Sequence, residues 1–270
     1  MLFAAVVLAG CQSTPSSEAP MYAPALPEAG DGDVAPAPLS LAPESDTTDA
    51  ERYHSQARAL EQSFGSPEEV RTFYRKALGL APASVAVMND YGRFLHGAGS
   101  LAEAEEIYSR AIEEEAGSKE AHNGLSAVLM SAGRLEEADA AASEALKLDP
   151  DYVDALTNLG MIRARAGDLA DAERLLTRAV LEAQKVGNVI PGFNLALVYM
   201  QSGNFEDAVG LLGHAVRMDP ANANARLLLA RAFLETGKKP SALAQINALL
   251  QIDPGNERAL AMKAEIESGS

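Results

Sequence analysis

Small and apolar residues return along this chain at fixed places. A glycine stands at 65, 99, 133, 167, 203 and 237, so the intervals are 34, 34, 34, 36 and 34 residues. Five residues after each glycine comes Val70, Ala104, Ala138, Ala172, Ala208 or Ala242. Further positions keep the same register. Tyr91-Gly92, Leu125-Ser126, Leu159-Gly160, Leu195-Ala196 and Leu229-Ala230 precede the glycine, and Tyr74, Tyr108, Ala142, Leu176, Leu212 and Ile246 follow it. The spacing predicts two helices per period joined by a tight turn. The small residues then mark contacts where two helices cross too closely for a large side chain.

The turns carry their own signals. Gly65, Gly99, Gly133, Gly167, Gly203 and Gly237 suit the left-handed position just past the first helix. Ser66, Ser100, Asp168 and Asn204 are expected to cap the second helix, and Pro67 falls at a first helical position, where its missing donor is harmless. Pro82, Pro150, Pro220 and Pro254 stop helices, because proline lacks the N–H and disfavours helix in the residue before it. The repeats are expected at 51–84, 85–118, 119–152, 153–186, 189–222 and 223–256, with a capping helix at 257–268. The first has Ala57-Arg58 where later ones have the Leu-Gly type of pair, which reads as an N-terminal cap. The interval of 36 puts two additional residues around Lys185 to Asn188 and predicts a local change of pitch. This pattern resembles the tetratricopeptide family. The resemblance implies an all-α fold, a right-handed α-solenoid of about six helix-turn-helix repeats with a C-terminal capping helix, and a protein-binding role.

Composition adds to this picture mainly before residue 51. Residues 1–10 are an apolar run ending in Leu8-Ala9-Gly10-Cys11. That is about half of the roughly 20 residues needed to cross a bilayer, so the run reads as a signal peptide. It lacks a basic start, and the expectation is that translation begins upstream. Small residues before a cysteine resemble the lipobox of bacterial lipoproteins, which implies lipidation of Cys11. Several acyl chains at about 0.8 kcal/mol per buried CH2 would hold the protein on a membrane. By the sorting pattern of that family, Gln12 implies the outer membrane. The segment 11–49 is expected to be a disordered linker. From Gln12 to Asp49 it holds seven prolines and seven acidic residues with no Lys or Arg. Such a tether spans roughly 30 to 100 Å and would let a periplasm-facing domain stand off the membrane.

In the usual geometry of such solenoids, residues 2, 5, 9 and 12 of each repeat line a concave groove. Repeats two and three offer Ala86, Asn89, Arg93 and His96, then Glu120, Asn123, Ala127 and Met130; repeat four offers Asp154, Thr157, Met161 and Ala164. Repeats five and six turn apolar, with Ile190, Phe193, Leu197 and Met200, then Leu227 and Leu234 beside Asn224 and Arg231. Two readings stand for Phe193, Leu197 and Leu227: they receive an apolar or amphipathic segment of a partner, or they pack beneath the next repeat. Asn158 and Asn194 sit one place further along, where some relatives use Asn to bond a ligand's backbone. The Lys, Asn and Arg clamp for C-terminal carboxylates is not present in register, and Arg93 and Arg231 are too scattered to replace it.

The remaining chemistry is sparse. The formal charge of −16 opposes binding to a polyphosphate, so nucleic acid is not an expected partner. His54, His96, His122 and His214 lie in different repeats without ligand spacing, so neither a metal site nor a cofactor is expected. Glu103, Glu105, Glu106 and the run Glu113 to Glu115 follow helix-surface spacing, and no nucleophile elbow or phosphate loop appears. The expectation is a scaffold, not an enzyme. The stretches 89–95 (NDYGRFL), 121–125 (AHNGL) and 193–197 (FNLAL) resemble tight-adherence (Flp) pilus assembly lipoproteins and type IV pilus pilotins. That resemblance implies a secretin or pilus-assembly partner; the alternative is an adaptor that recruits cell-wall hydrolases or a periplasmic protease.

Overall fold

In the computed structural model, residues 49–184 and 188–268 are described. They form thirteen helices, with no strand among the described residues. The first hairpins are α1 (Asp49–Gln62) with α2 (Pro67–Leu80), α3 (Val85–Gly97) with α4 (Leu101–Glu114), and α5 (Lys119–Ser131) with α6 (Leu135–Leu148). Then come α7 (Val153–Arg165) with α8 (Leu169–Gln184), α9 (Ile190–Ser202) with α10 (Phe205–Met218), and α11 (Ala223–Glu235) with α12 (Lys239–Ile252); α13 (Glu257–Ser268) follows alone. Asp49, expected in the linker, already lies in the first turn of α1. The apolar run 1–10, Cys11 and the rest of the linker lie outside the described residues, as do 185–187 of the expected pitch change.

Five of the turns are built alike. Gly99, Gly133, Gly167, Gly203 and Gly237 take φ between 75° and 91°. The next residue returns its N–H to a carbonyl five residues back, as in Ser100 N to Leu95 O at 2.9 Å and Lys238 N to Phe233 O at 2.7 Å. The first turn departs from the expectation for Gly65. Helix α1 stops one residue early, so Phe64 takes the left-handed conformation at φ 54°, and Gly65 N makes the closing bond to Leu60 O at 2.8 Å. Gly65 serves close approach instead, since a Cβ there would lie 2.8 Å from Leu60 Cδ2.

Capping also differs from expectation. Asp168 Oδ1 accepts from Asp171 N at 3.1 Å, but the side chains of Ser66, Ser100 and Asn204 make no cap bond. Ser100 Oγ accepts from Arg71 Nη2 at 3.1 Å instead. Other capping side chains stand before first helices and the final helix: Ser118 on Ala121 N, Asn222 on Ala225 N, and Asn256 on Ala259 N, at 3.3, 2.9 and 3.0 Å. Helix ends at Leu80, Leu148, Met218 and Ile252 each fall two residues before a proline.

The core runs the length of the stack as a series of small-against-large contacts. Tyr108 from α4 lies against Gly92 and Gly124, where a Cβ would come within 2.7 and 2.2 Å of its ring. Leu176 from α8 lies against Gly160, where a Cβ would meet its Cγ at 2.7 Å. Ala142 and Ser126, small residues at the corresponding places of the third hairpin, are both fully buried. At the N-terminal end the exposed side of α1 is covered locally: the rings of Tyr53 and Phe73 lie 6.0 Å apart, with Arg52 and Lys76 each over Tyr53 at 5.3 Å. At the C-terminal end α13 inserts Ala259 and Ile266 into the cluster of Leu227, Ile246 and Leu249. The first helices α3, α5, α7 and α9 touch one another in sequence, whereas successive second helices do not approach as closely, so the first helices line the inside of the curve. The step from α9 to α11 is wider than these.

Candidate functional site

The inner surface changes character along the stack. In the first two hairpins it is closed by its own charges. His54 Nε2 lies 2.8 Å from Asp90 Oδ2, Arg93 reaches Glu61 at 3.2 Å and Asp90 at 3.4 Å, and Arg58 stands 3.7 Å from Asp90. The Tyr74 hydroxyl donates to Glu61 in the same network, and burial, then that bond, push its pKa above the ordinary tyrosine value. Arg93 is thus engaged within the protein. This network was not anticipated from the sequence, because its members come from three helices whose residues share no short spacing.

The next steps are joined by hydrogen bonds that involve no carboxylate. Asn158 Nδ2 donates to Asn123 Oδ1 at 2.8 Å, Arg165 Nη1 donates to Met130 O at 3.1 Å, and His96 Nε2 lies 2.9 Å from Ser131 Oγ. Each links residues 35 apart, and that recurrence is the sequence signal that could have revealed them. Burial lowers the pKa of His96 below the ordinary histidine value. Asn89 Nδ2 donates to Ser118 Oγ at 3.3 Å, while its Oδ1 is buried without a partner. Met161 is half-buried against the cluster of Ala164, Leu176 and Leu195.

Repeats five and six require a correction. Phe193 is 2% exposed and packs among Ala196, Leu212 and Leu229, and Leu227 is 4% exposed beside Ile246 and Leu249. Thr157 and Ala164 are buried too, the Thr157 hydroxyl donating to Val153 O at 2.7 Å. From α7 onward the fifth position of the first helix therefore turns into the core, a shift that a fixed register does not show. Phe193 and Leu227 are packing residues in this conformation. Asn194, Leu197, Met200 and Leu234 remain half-buried, with Ile190, Asn224 and Arg231 exposed around them. Arg231 is held by Glu235 at 2.7 Å and Asn224 Oδ1 accepts from Arg258 at 3.0 Å. This leaves a partly apolar strip with polar edges on the inner side of α9 and α11, where the helices stand wider apart.

Among the described residues no group of three or more His, Cys, Asp or Glu is placed to hold a metal ion. No described helix is long and apolar enough to cross a membrane.

Comparison with known proteins agrees with this geometry. A family profile described as tetratricopeptide repeat matches residues 63–129, 129–189 and 199–266. Among solved structures, PilW, a widely conserved type IV pilus biogenesis factor, is 19% identical with a TM-score of 0.70, covering 80% of this chain and 99% of its own. PilF of Pseudomonas aeruginosa is 19% identical with a TM-score of 0.65, covering 80% of this chain and 97% of its own. YrrB, a repeat protein with an unusual peptide-binding site, is 19% identical with a TM-score of 0.53, over 71% of this chain and 97% of its own. A search of curated proteins returns no match.

Proposed function

This chain belongs to the tetratricopeptide-repeat family, and from that premise we propose that it is a non-enzymatic scaffold, anchored to the outer membrane through a lipidated Cys11 and facing the periplasm, that helps a pilus or secretion apparatus assemble. The observation that carries the binding role is the strip of Leu197, Met200 and Leu234 between α9 and α11. Apolar side chains left half-open there, Met among them, suit an amphipathic or extended segment of a partner, with Asn194 and Arg231 at the edges for its polar groups. Asn89, Arg93, Asn123, Asn158 and Met161 would then form the stiff continuation of the groove. Leu8-Ala9-Gly10-Cys11 supports the anchor, and the likeness of fold to PilW and PilF over 80% of this chain supports the pilus setting.

The test is capture from crosslinked membranes of the protein's own organism, comparing the native chain with Cys11→Ser and with Leu197→Glu/Met200→Glu. The expected result is recovery of a secretin or pilus-assembly components, lost in the groove variant at unchanged helical signal. Cys11→Ser should move the protein into the soluble periplasm, and membrane retention of that variant would refute the anchor. Recovery of cell-wall hydrolases or a protease would replace the pilus setting with the adaptor one.

A further inference from the structure

The strip between α9 and α11 lies in a different electrostatic setting from the outside of the stack. Helices α7, α9, α11 and α13 carry six basic residues against five acidic ones, whereas the second helices α4, α6, α8 and α10 carry five against fourteen. An acidic segment is repelled by those outer helices and not by the inner row. The two helices that flank the strip in the row each hold a guanidinium open to a carboxylate. Arg165 on α7 donates to Met130 O at 3.1 Å and Arg258 on α13 donates to Asn224 Oδ1 at 3.0 Å, both neutral acceptors.

The chain itself contains a segment of matching character. Residues 20–28 (PMYAPALPE) set Met21, Tyr22 and Leu26 among Pro20, Pro24 and Pro27, with Glu18 and Glu28 on either side and no Lys or Arg from Gln12 to Thr48. Proline fixes φ near −65° and favours an extended backbone, so less freedom is lost on docking. Chain length selects this segment over the rest of the linker. The strip lies four to five first-helix steps from α1, roughly 30–50 Å at about 8–10 Å per step. Met21 to Pro27 stand 28 to 22 residues before Asp49. That length spans about 25–30 Å as a coil and about 70–85 Å when extended, which brackets the strip. Leu39 and Leu41, ten and eight residues before Asp49, reach about 30 Å at most and stop at or before its near edge. Glu18 and Glu28 are about 30 Å apart in the extended form, close to the roughly 24–30 Å of the three steps from α7 to α13.

We infer that residues 21–27 dock in the inner groove of their own chain, with Met21, Tyr22 and Leu26 on the strip of Leu197, Met200 and Leu234, Glu28 toward Arg165 and Glu18 toward Arg258. A partner that uses the strip must first displace this segment. The inference rests on the strip being a docking surface, and its test uses the protein by itself, so it stands or falls separately from the pilus setting.

Cys11 is the single cysteine, so the full chain with Cys11→Ser and Ala25→Cys takes one nitroxide label. The expected result is strong paramagnetic broadening of the amide signals of Leu197, Met200 and Leu234, with those of α4 and α6 left sharp. Adding Met21→Ser, Tyr22→Ser and Leu26→Ser should remove that broadening at unchanged helical signal. A label at Ser40→Cys should broaden the first two hairpins and spare α9 and α11. Isotope-labelled chain mixed with spin-labelled chain of natural isotope content should show no broadening at the strip. Broadening in that mixture would assign the strip to the linker of a second copy and overturn docking within one chain. Sharp signals on α9 and α11 with the label at residue 25, or broadening that survives the three serines, would overturn the inference and leave the strip to an outside partner.

Discussion

The first two hairpins and the next two share one backbone plan and solve it with different side chains. Residues 53–108 hold Tyr53, Phe64, Phe73, Tyr74, Tyr91, Phe94 and Tyr108, half of the chain's fourteen aromatics, whereas residues 119–184 hold Tyr152 alone. Tyr74 stacks on Tyr91, Tyr91 lies against Phe94 at 6.4 Å, and Tyr108 fills the gap between α3 and α5. In α6 the corresponding surface is Ala138, Ala141, Ala142 and Ala145, all buried. What stays constant is the space available at each crossing. A large residue on the second helix is met by glycine on the first helices, and where the second helix carries Ala142 the corresponding first-helix place holds Ser126, both fully buried. The period specifies where helices touch, and the sizes on the two sides compensate within each contact.

The sharpest way to break this symmetry is to delete the largest wedge. Tyr108→Ala should cost about 3–5 kcal/mol, because a ring that is 5% exposed leaves a cavity between two helices with glycines that cannot fill it. Ala142→Gly, its counterpart one repeat on, should cost only about 1 kcal/mol, the helix propensity difference. Urea midpoints of the two variants measure this; equal losses would mean that the aromatic and alanine regions are not packed differently.

Next in size is filling the space opposite the wedge. A Cβ at Gly124 would sit 2.2 Å from the Tyr108 ring, and an aromatic ring cannot bend away. Overpacking of about 1–3 kcal/mol outweighs the gain of about 1 kcal/mol from replacing a helical glycine. Gly124→Ala should therefore destabilise by up to about 2 kcal/mol. In a Tyr108→Leu background the same change should become neutral or stabilising, a coupling that a double-mutant cycle reads directly. Gly160→Ala is the milder counterpart, since it faces a leucine that can change rotamer. Its net effect should lie within about 0.5 kcal/mol of zero, with the propensity gain offsetting the contact.

The same contrast explains what could be read from the sequence. The all-α repeat fold was legible because small residues at 34-residue intervals report helix crossings whatever fills the other side. Which groove positions stay open was not legible. Asn89, Asn123, Phe193 and Leu227 occupy one place in the repeat, yet the first two are half-buried and polar-bonded while the last two are core. Their burial depends on how each first helix is rotated against its neighbours, and a period carries no information about that rotation. The charged network of His54, Glu61, Asp90 and Arg93 was hidden for a related reason: it joins α1, α2 and α3 through side-chain length and direction, not through spacing.

The smallest expected effect tests the one turn that leaves the pattern. Phe64 holds a left-handed backbone where the five later turns use glycine, and it is 65% exposed, so its ring recovers little apolar burial. The left-handed conformation costs a residue with a Cβ about 1–2 kcal/mol, while glycine adds about 0.5–1 kcal/mol of chain entropy to be lost on folding. The difference predicts that Phe64→Gly stabilises the protein by up to about 1 kcal/mol. A higher melting temperature would place the first turn under the same rule as the other five. A lower one would mean that the exposed ring makes contacts worth more than the strain, and that the aromatic region extends to the tip of its first turn.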